Sequence, residues 1–252
     1  MWRRIAQSLQ GPSHATDDSP CQDSFAVRVF DEETNPTLVA CVADGAGSAK
    51  HSEVGSAIVC NTIVECVEAF LVAGGTFDKL ERQDVLRWCA VARNRIEQVA
   101  TDLKCEVREL ASTLCTAIVA PECSCFFQIG DGAMILRRNG VYGVVFWPQS
   151  GEYANSTNFL TSHQYDAQLE FVAIDECCSD IALMTDGLER LALRFDTITP
   201  HTPFFDPFFR ALRTADDYSG LNNALLEFLG SGQVRERSDD DKTLVLASFI
   251  TD

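Results

Sequence analysis

Leu38-Val39-Ala40-Cys41-Val42-Ala43-Asp44-Gly45-Ala46-Gly47-Ser48 decides how the chain is read. Six apolar or small residues run into an aspartate and then into glycines. A short apolar run of this kind predicts a buried strand, and the glycines end it in a tight turn. Glycine also lets backbone approach a bound ion or ligand closely. Asp44 therefore stands at the exit of a buried strand. There it either caps its own turn or holds a cation.

The pattern repeats. Ile181-Ala182-Leu183-Met184-Thr185-Asp186-Gly187-Leu188 is a second apolar run ending in Asp-Gly, and Phe126-Phe127-Gln128-Ile129-Gly130-Asp131-Gly132 is a third. Ser238-Asp239-Asp240-Asp241-Lys242-Thr243 is the mirror case, with aspartates just before an apolar strand. If these strands share one sandwich, their acidic ends can converge. Clustered oxygens suit a hard divalent cation. Without one, converging carboxylates repel and raise one another's pKa.

The 252 residues suit one domain, 1–252, and 46% apolar composition supplies a sizeable core. Lys and Arg total 20 against 37 Asp and Glu, a formal charge of −17. That excludes nucleic acid and anionic membranes as expected partners. It also disfavours a phosphorylated substrate unless bound metal reverses the local sign. No segment reads as membrane-spanning, and no apolar signal core follows Arg3-Arg4, so the expected location is cytoplasmic. The eleven cysteines are read as reduced thiols, several within apolar patterns. Cys123-Ser124-Cys125 and Cys177-Cys178 lack the spacing of a zinc site.

Along the chain, residues 1–20 read as polar and turn-rich. Ser24 to Phe30 alternates as a strand and pairs through a hairpin with the Asp44 strand, so Asp23 lies beside Asp44 if the register allows. Ser52-Glu53 opens an apolar helix that ends at Gly74-Gly75. Val85, Cys89, Ala92, Ile96, Val99 and Leu103 mark the core face of a second helix. From Thr113 to Trp147 consecutive strands predict an antiparallel meander, with Asn139-Gly140 as a hairpin turn. Residues 148–168 read as polar loop, and Pro200 to Pro207 as a surface segment. Short helices and a last strand, Thr243 to Ile250, follow. The fold class is α+β, antiparallel sheets covered by helices.

Gln22-Asp23, Val42-Ala43-Asp44-Gly45, Ser112-Thr113 with Thr116-Ala117, Ile129-Gly130-Asp131, Phe159-Leu160-Thr161, Thr185-Asp186-Gly187-Leu188 and Asp240-Asp241-Lys242-Thr243 carry a resemblance. In content and order they resemble the motifs of the type 2C metal-dependent protein phosphatases, from about residue 11 to 249. The opening Gly-Pro-Ser-His and Pro-Cys-Gln-Asp-Ser resemble a bacterial subgroup. The resemblance implies a sandwich of two antiparallel β-sheets flanked by α-helices (α-β-β-α), with a metal cleft at one end. It implies a serine/threonine protein phosphatase in which a metal-bridging hydroxide attacks the phosphate monoester without a phospho-enzyme.

It also assigns roles. Asp44 would bridge two Mn²⁺ or Mg²⁺ ions, and the Gly45 carbonyl would complete one of them. Asp186 and Asp240 would hold the other. Asp131, with Asp186, matches a third and weaker site. Asp23 would orient water. Asp241 stands where the family usually has asparagine, and is kept as a substitute for Asp240. Paired ions roughly 3.5–4 Å apart can clamp a phosphoryl group and acidify water. The partners implied are phosphorylated proteins and an opposing Ser/Thr kinase.

Residues 11–22 contain no arginine, where the family usually places one to bind phosphate. His14 or Ser13 is the candidate replacement. His163 and His51 are further candidates for the cleft, against ordinary loop histidines. The missing guanidinium favours a second reading, a weak or inactive phosphatase-fold binding module. A hydrolase of other phosphoesters is a third.

Overall fold

The computed structural model describes residues 1–16, 18–149, 157–215 and 220–250. Asp17 and residues 150–156 of the loop read at 148–168 lie outside the described residues; the end of that loop, Tyr165–Gln168, is a helical turn. The elements begin β1 (Trp2–Leu9), α1 (Pro12–Thr16), β2 (Ser24–Phe30), β3 (Thr37–Ala43), α2 (Ser52–Val72) and α3 (Arg82–Leu103). Then come β4 (Leu114–Val119), β5 (Ser124–Ile129), β6 (Ala133–Arg138), β7 (Val141–Val144), α4 (Tyr165–Gln168), β8 (Glu170–Ile174) and β9 (Asp180–Met184). The last are α5 (Glu189–Ala192), β10 (Leu193–Arg194), β11 (Thr199–Pro200), α6 (Thr202–Thr214), α7 (Leu221–Leu229), α8 (Gly232–Arg235) and β12 (Lys242–Phe249).

Two five-stranded sheets form the centre, ordered β1-β12-β9-β6-β7 and β2-β3-β4-β5-β8. Every pairing within them is antiparallel. Leu38, Ala40, Val42 and Phe126 of one sheet meet Met134, Leu183 and Val245 of the other. The opposite face of β3, through Val39 and Cys41, packs on Val59 and Ile63 of α2 and on Cys89 and Ile96 of α3. The outer face of the other sheet packs on Phe205 and Phe209 of α6 and Leu225 of α7. Each sheet buries both faces, which is why β3, β4, β5 and β9 are buried at every position and mostly apolar without alternation. The layering is α-β-β-α.

Four expectations are corrected. Residues 2–9 form a strand, paired with β12 from Trp2↔Phe249 to Leu9↔Lys242. Only Trp2 and Ile5 of it are fully buried, so its apolar signal is faint. The meander is interrupted: β5 and β6 belong to different sheets, and the chain crosses between them at Gly130-Asp131-Gly132. Gly130 has φ +108°, a conformation that side-chain-bearing residues avoid. Pro200 to Pro207 is mostly helix, with Pro203 in the first turn of α6 and Pro207 inside it. Finally, α2 is long and apolar enough to cross a membrane, although the sequence reads as having no such segment. Here it packs on β2 and β3.

The α3 stripe holds except at Leu103, which is exposed, while Trp88 and Ala100 join the core. Asn139 and Gly140 take positive φ values of 50° and 81°, the hairpin turn expected of them. All eleven cysteines are free thiols. Burial pushes Cys89 and Cys125 up to about 12, so neither is a ready nucleophile.

Candidate active site

The β2–β3 register settles the first question of placement. Ser24 pairs with Ala43, so the next step of the ladder sets Asp23 across from Asp44. The β9–β12 pairing, Leu244↔Met184, brings the Asp186 and Asp240 ends together. The β5–β6 crossover adds Asp131. Asp44, Gly45, Asp131, Asp186 and Asp240 all line one cleft of about 330 Å³, with Ser13, His14 and Thr157. A larger cavity of about 710 Å³ shares Asp131, Thr157, Asp186 and Asp240 with it.

The backbone around these residues is tightly fixed. Asp44 N–H donates to Thr113 Oγ1 at 2.8 Å, and Thr113 N–H donates to the Asp44 carbonyl at 2.8 Å. A Cβ on Gly45 would stand 2.7 Å from the Gln22 carbonyl oxygen and from Ser52 Cβ. Asp23 is buried at the floor. Its Oδ2 accepts from Thr185 Oγ1 at 2.7 Å and Thr243 Oγ1 at 2.8 Å, and Thr243 N–H donates to Thr185 Oγ1 at 3.0 Å. Both threonines lie within the motifs that carry the resemblance, but the sequence assigned neither a role.

Asp240 and Asp241 face opposite ways. Asp241 is buried, with Oδ1 accepting from Gly11 N–H and Oδ2 from Gln22 N–H, both at 2.6 Å. It ties the N-terminal loop to β12 and does not line the cleft; Asp240 does. His14 Nδ1 is 2.8 Å from Asp241 Oδ2 without the alignment of a hydrogen bond. His163 lines an adjoining cavity with Thr161, and His51 lines neither space.

The electrostatics are those of an acidic cluster that outweighs the few cations around it, Lys242, Arg190 and Arg237. Burial, followed by Asp23, Asp186 and Asp131, pushes Asp44 well above the usual carboxylate range. Burial raises Asp186 to about 6, reinforced by Asp131 and Asp240. Asp23 reaches about 8, mainly through burial and against the two threonine bonds. Burial also raises Asp131, with Asp240 adding to it. Glu189, absent from the sequence reading, lines the larger cavity and is pushed to about 8 by burial and then by Asp186 and Asp131. It lies one turn beyond Asp186, the only signal that marked it.

Asp44 and Asp186 repel one another across the cleft as like charges. Asp23 Oδ1, Asp131 Oδ1 and Asp186 Oδ1 are buried without a partner. Among the described residues, no three His, Cys, Asp or Glu side chains close around a single point. The donors instead edge an open cleft, which suits a hard cation that keeps several waters. Orphaned oxygens and an all-carboxylate donor set fit Mg²⁺ or Mn²⁺ better than a thiophilic metal.

The profile of the protein phosphatase 2C family matches residues 10–230. The chain belongs to the protein phosphatase 2C family. The phosphatase is 35% identical to serine/threonine-protein phosphatase 3 of Escherichia coli (strain K12) over 251 residues, 98% of each chain. This family membership and relative make it a metal-dependent serine/threonine protein phosphatase. Two solved structures share its fold with TM-scores of 0.63. They are PppA of Pseudomonas aeruginosa, at 17% identity over 98% of both chains, and Stp1 of Staphylococcus aureus, at 14% identity over 100% of this chain and 96% of that one. RsbX in complex with magnesium is similar at a TM-score of 0.55 and 17% identity, covering 98% of this chain and 94% of that one.

The raised carboxylates of the phosphatase predict how its stability depends on pH and metal. A folded-state pKa above the unfolded value means that the native state holds protons the unfolded chain has lost. Stability is then present at low pH and is lost as pH rises through about 6 for Asp186 and about 8 for Asp23 and Glu189. Thermal melts in EDTA are therefore expected to show a lower midpoint at pH 8.5 than at pH 5.5. Divalent cation at a hundredfold excess over its Kd should raise the midpoint at pH 8.5 by about 5–10 °C. It should do less at pH 5.5, where protons compete.

Proposed function

We propose that the phosphatase hydrolyses phosphoserine and phosphothreonine monoesters in proteins with two divalent cations, Mn²⁺ or Mg²⁺, and a third, weaker one. The carrying observation is the convergence of four strand-end aspartates on one cleft, with buried oxygens left unpartnered. Asp44 and the Gly45 carbonyl would hold one cation, and Asp44, Asp186 and Asp240 the other. Asp131 with Asp186 would hold the third. Bound cations would lower the pKa of water and neutralise charge on the phosphoryl group.

The chain's own groups do the rest. Thr185 and Thr243 fix Asp23 through Oδ2, leaving Oδ1 to orient and accept a proton from a water molecule. Gly45, with no room for a side chain, keeps the strand exit narrow enough for its carbonyl to reach the cleft. His14 stands at the cleft edge beside Ser13, where it can meet the leaving oxygen or the phosphate. The similarity to RsbX in complex with magnesium favours Mg²⁺ as one physiological ion.

The same reading takes residues 1–252 as one domain, which the pairing of β1 with β12 supports. It expects an opposing Ser/Thr kinase in a signalling pair, and the free thiols support a cytoplasmic location. Direct attack by water is tested with H₂¹⁸O and a phosphothreonine peptide. The expected result is ¹⁸O in the released phosphate, none in the threonine, and no phosphorylated protein on quenching. A quenched protein carrying phosphate would replace this reading with a covalent route.

A further inference from the structure

Beside the larger acidic cavity runs a groove of about 630 Å³. Its floor is aromatic. Phe204 and Phe208 of α6 and Phe228 of α7 stand edge to face, with ring centroids 5.5 Å apart for Phe204 and Phe208, 5.9 Å for Phe204 and Phe228, and 5.1 Å for Phe208 and Phe228. Phe208 and Phe228 are only half-buried, so part of this ring surface faces solvent. Its rim is basic. Arg190, Arg194 and Arg237 line it, and among the described residues no Asp or Glu does. In a chain with 37 acidic and 20 basic residues, a groove edged only by cations is a marked local reversal. Two of these arginines, Arg190 and Arg237, also line the cavity that contains Asp186 and Asp240. The groove thus adjoins the larger acidic cavity, and the arginine pair forms the wall between them.

We propose that this groove docks the substrate's own polypeptide. An apolar side chain close in sequence to the phosphorylated residue seats on Phe204, Phe208 and Phe228, while Arg190 and Arg237 engage the phosphate as the chain enters the cleft. The occupant is therefore an extended phosphopeptide that combines an anion with an aromatic or aliphatic neighbour. Guanidinium forks suit phosphate oxygens, and they offset the repulsion that a −17 protein presents to any phosphopeptide. Arg190 lies four residues after Asp186 and Arg237 three before Asp240, so each is carried by the same local backbone as a cleft carboxylate. They supply the cation that residues 11–22 lack. The inference rests on the phosphatase reading, and its test separates the two.

The test is fluorescence anisotropy with labelled peptides carrying a non-hydrolysable difluoromethylphosphonate analogue of phosphothreonine, in saturating Mg²⁺. Paired peptides carry Phe or Ser at each flanking position in turn. At one or more positions Phe should bind about tenfold tighter than Ser, the scale of burying part of one ring. Phe208→Ala should abolish that preference. The exposed double variant Arg190→Ala/Arg237→Ala should weaken both peptides about tenfold and reduce the salt dependence of binding. Equal binding of Phe and Ser peptides at every position, or a preference that survives Phe208→Ala, overturns the groove. Metal-dependent turnover of an aryl phosphate is followed in parallel. Its absence beside groove-dependent binding would sink the phosphatase reading and keep the groove; its presence beside indifferent binding would do the reverse.

Discussion

Asp44→Asn is expected to lower kcat/KM for a phosphothreonine peptide by at least about a thousandfold, the scale set by removing a central electrostatic group from an active site. The substitution removes one negative charge and replaces an oxygen with an amide nitrogen at the residue that faces Asp23, Asp186 and Asp131 at once. The fold should survive, because the Asp44 backbone rather than its side chain is tied to Thr113. In EDTA the variant should melt at or above the wild-type midpoint, since like-charge repulsion is relieved. With Mg²⁺ or Mn²⁺ the wild type should gain stability and the variant should gain much less. Activity and metal response would fall together while the metal-free fold holds. A general folding defect would lower the metal-free midpoint instead.

Gly187→Ala should be the most damaging small substitution for stability. A Cβ there would stand 1.9 Å from the Asp241 carbonyl oxygen, and the obstacle is backbone rather than a movable side chain. Gly187 lies in the single turn Asp186–Leu188, which packs against the start of β12. Forcing that turn away costs about 3 kcal/mol or more, at the upper end for overpacking. The midpoint should fall by roughly 6–12 °C in a domain of this size. Activity should fall further than stability accounts for, because Asp186 would move relative to Asp240. Gly143→Ala, where an added Cβ meets nothing within 4 Å, is the control and should leave the midpoint nearly unchanged. Chemical melts of both variants check the contrast.

The two buried centre strands could be read because their signal is local. Leu38–Ala43 and Ile181–Met184 are apolar on both faces, and glycines stop them. The acidic residues at those ends could be read for the same reason. What needed the structure was set by contacts distant in sequence. β1 is an edge strand with two fully buried side chains, so it reads as polar chain until β12 pairs with it. Gly130-Asp131-Gly132 looks like a hairpin turn, and only the pairing of β6 with β9 shows that it is a crossing between sheets. Asp240 and Asp241 are neighbours of like chemistry, separated only by the Gly11 and Gln22 amides that claim Asp241. The prolines of α6 hid a helix whose aromatic residues at 204, 205, 208 and 209 follow a helical face. Arg190 and Arg237 are unremarkable in the sequence until one cavity contains both.

The departure at residues 11–22 made an inactive binding module a real alternative. The cleft gives it no support, because Asp44, Asp131, Asp186 and Asp240, proposed to hold the cations, converge there and arginines line the adjoining space. The most direct test is hydrolysis of a phosphothreonine peptide by the unmodified protein, in Mg²⁺ or Mn²⁺ and then in EDTA. Turnover that requires the cation, vanishes in EDTA and returns on adding metal back is the predicted result. Turnover that persists in EDTA, or none at all in a protein whose melting point responds to metal, would contradict it.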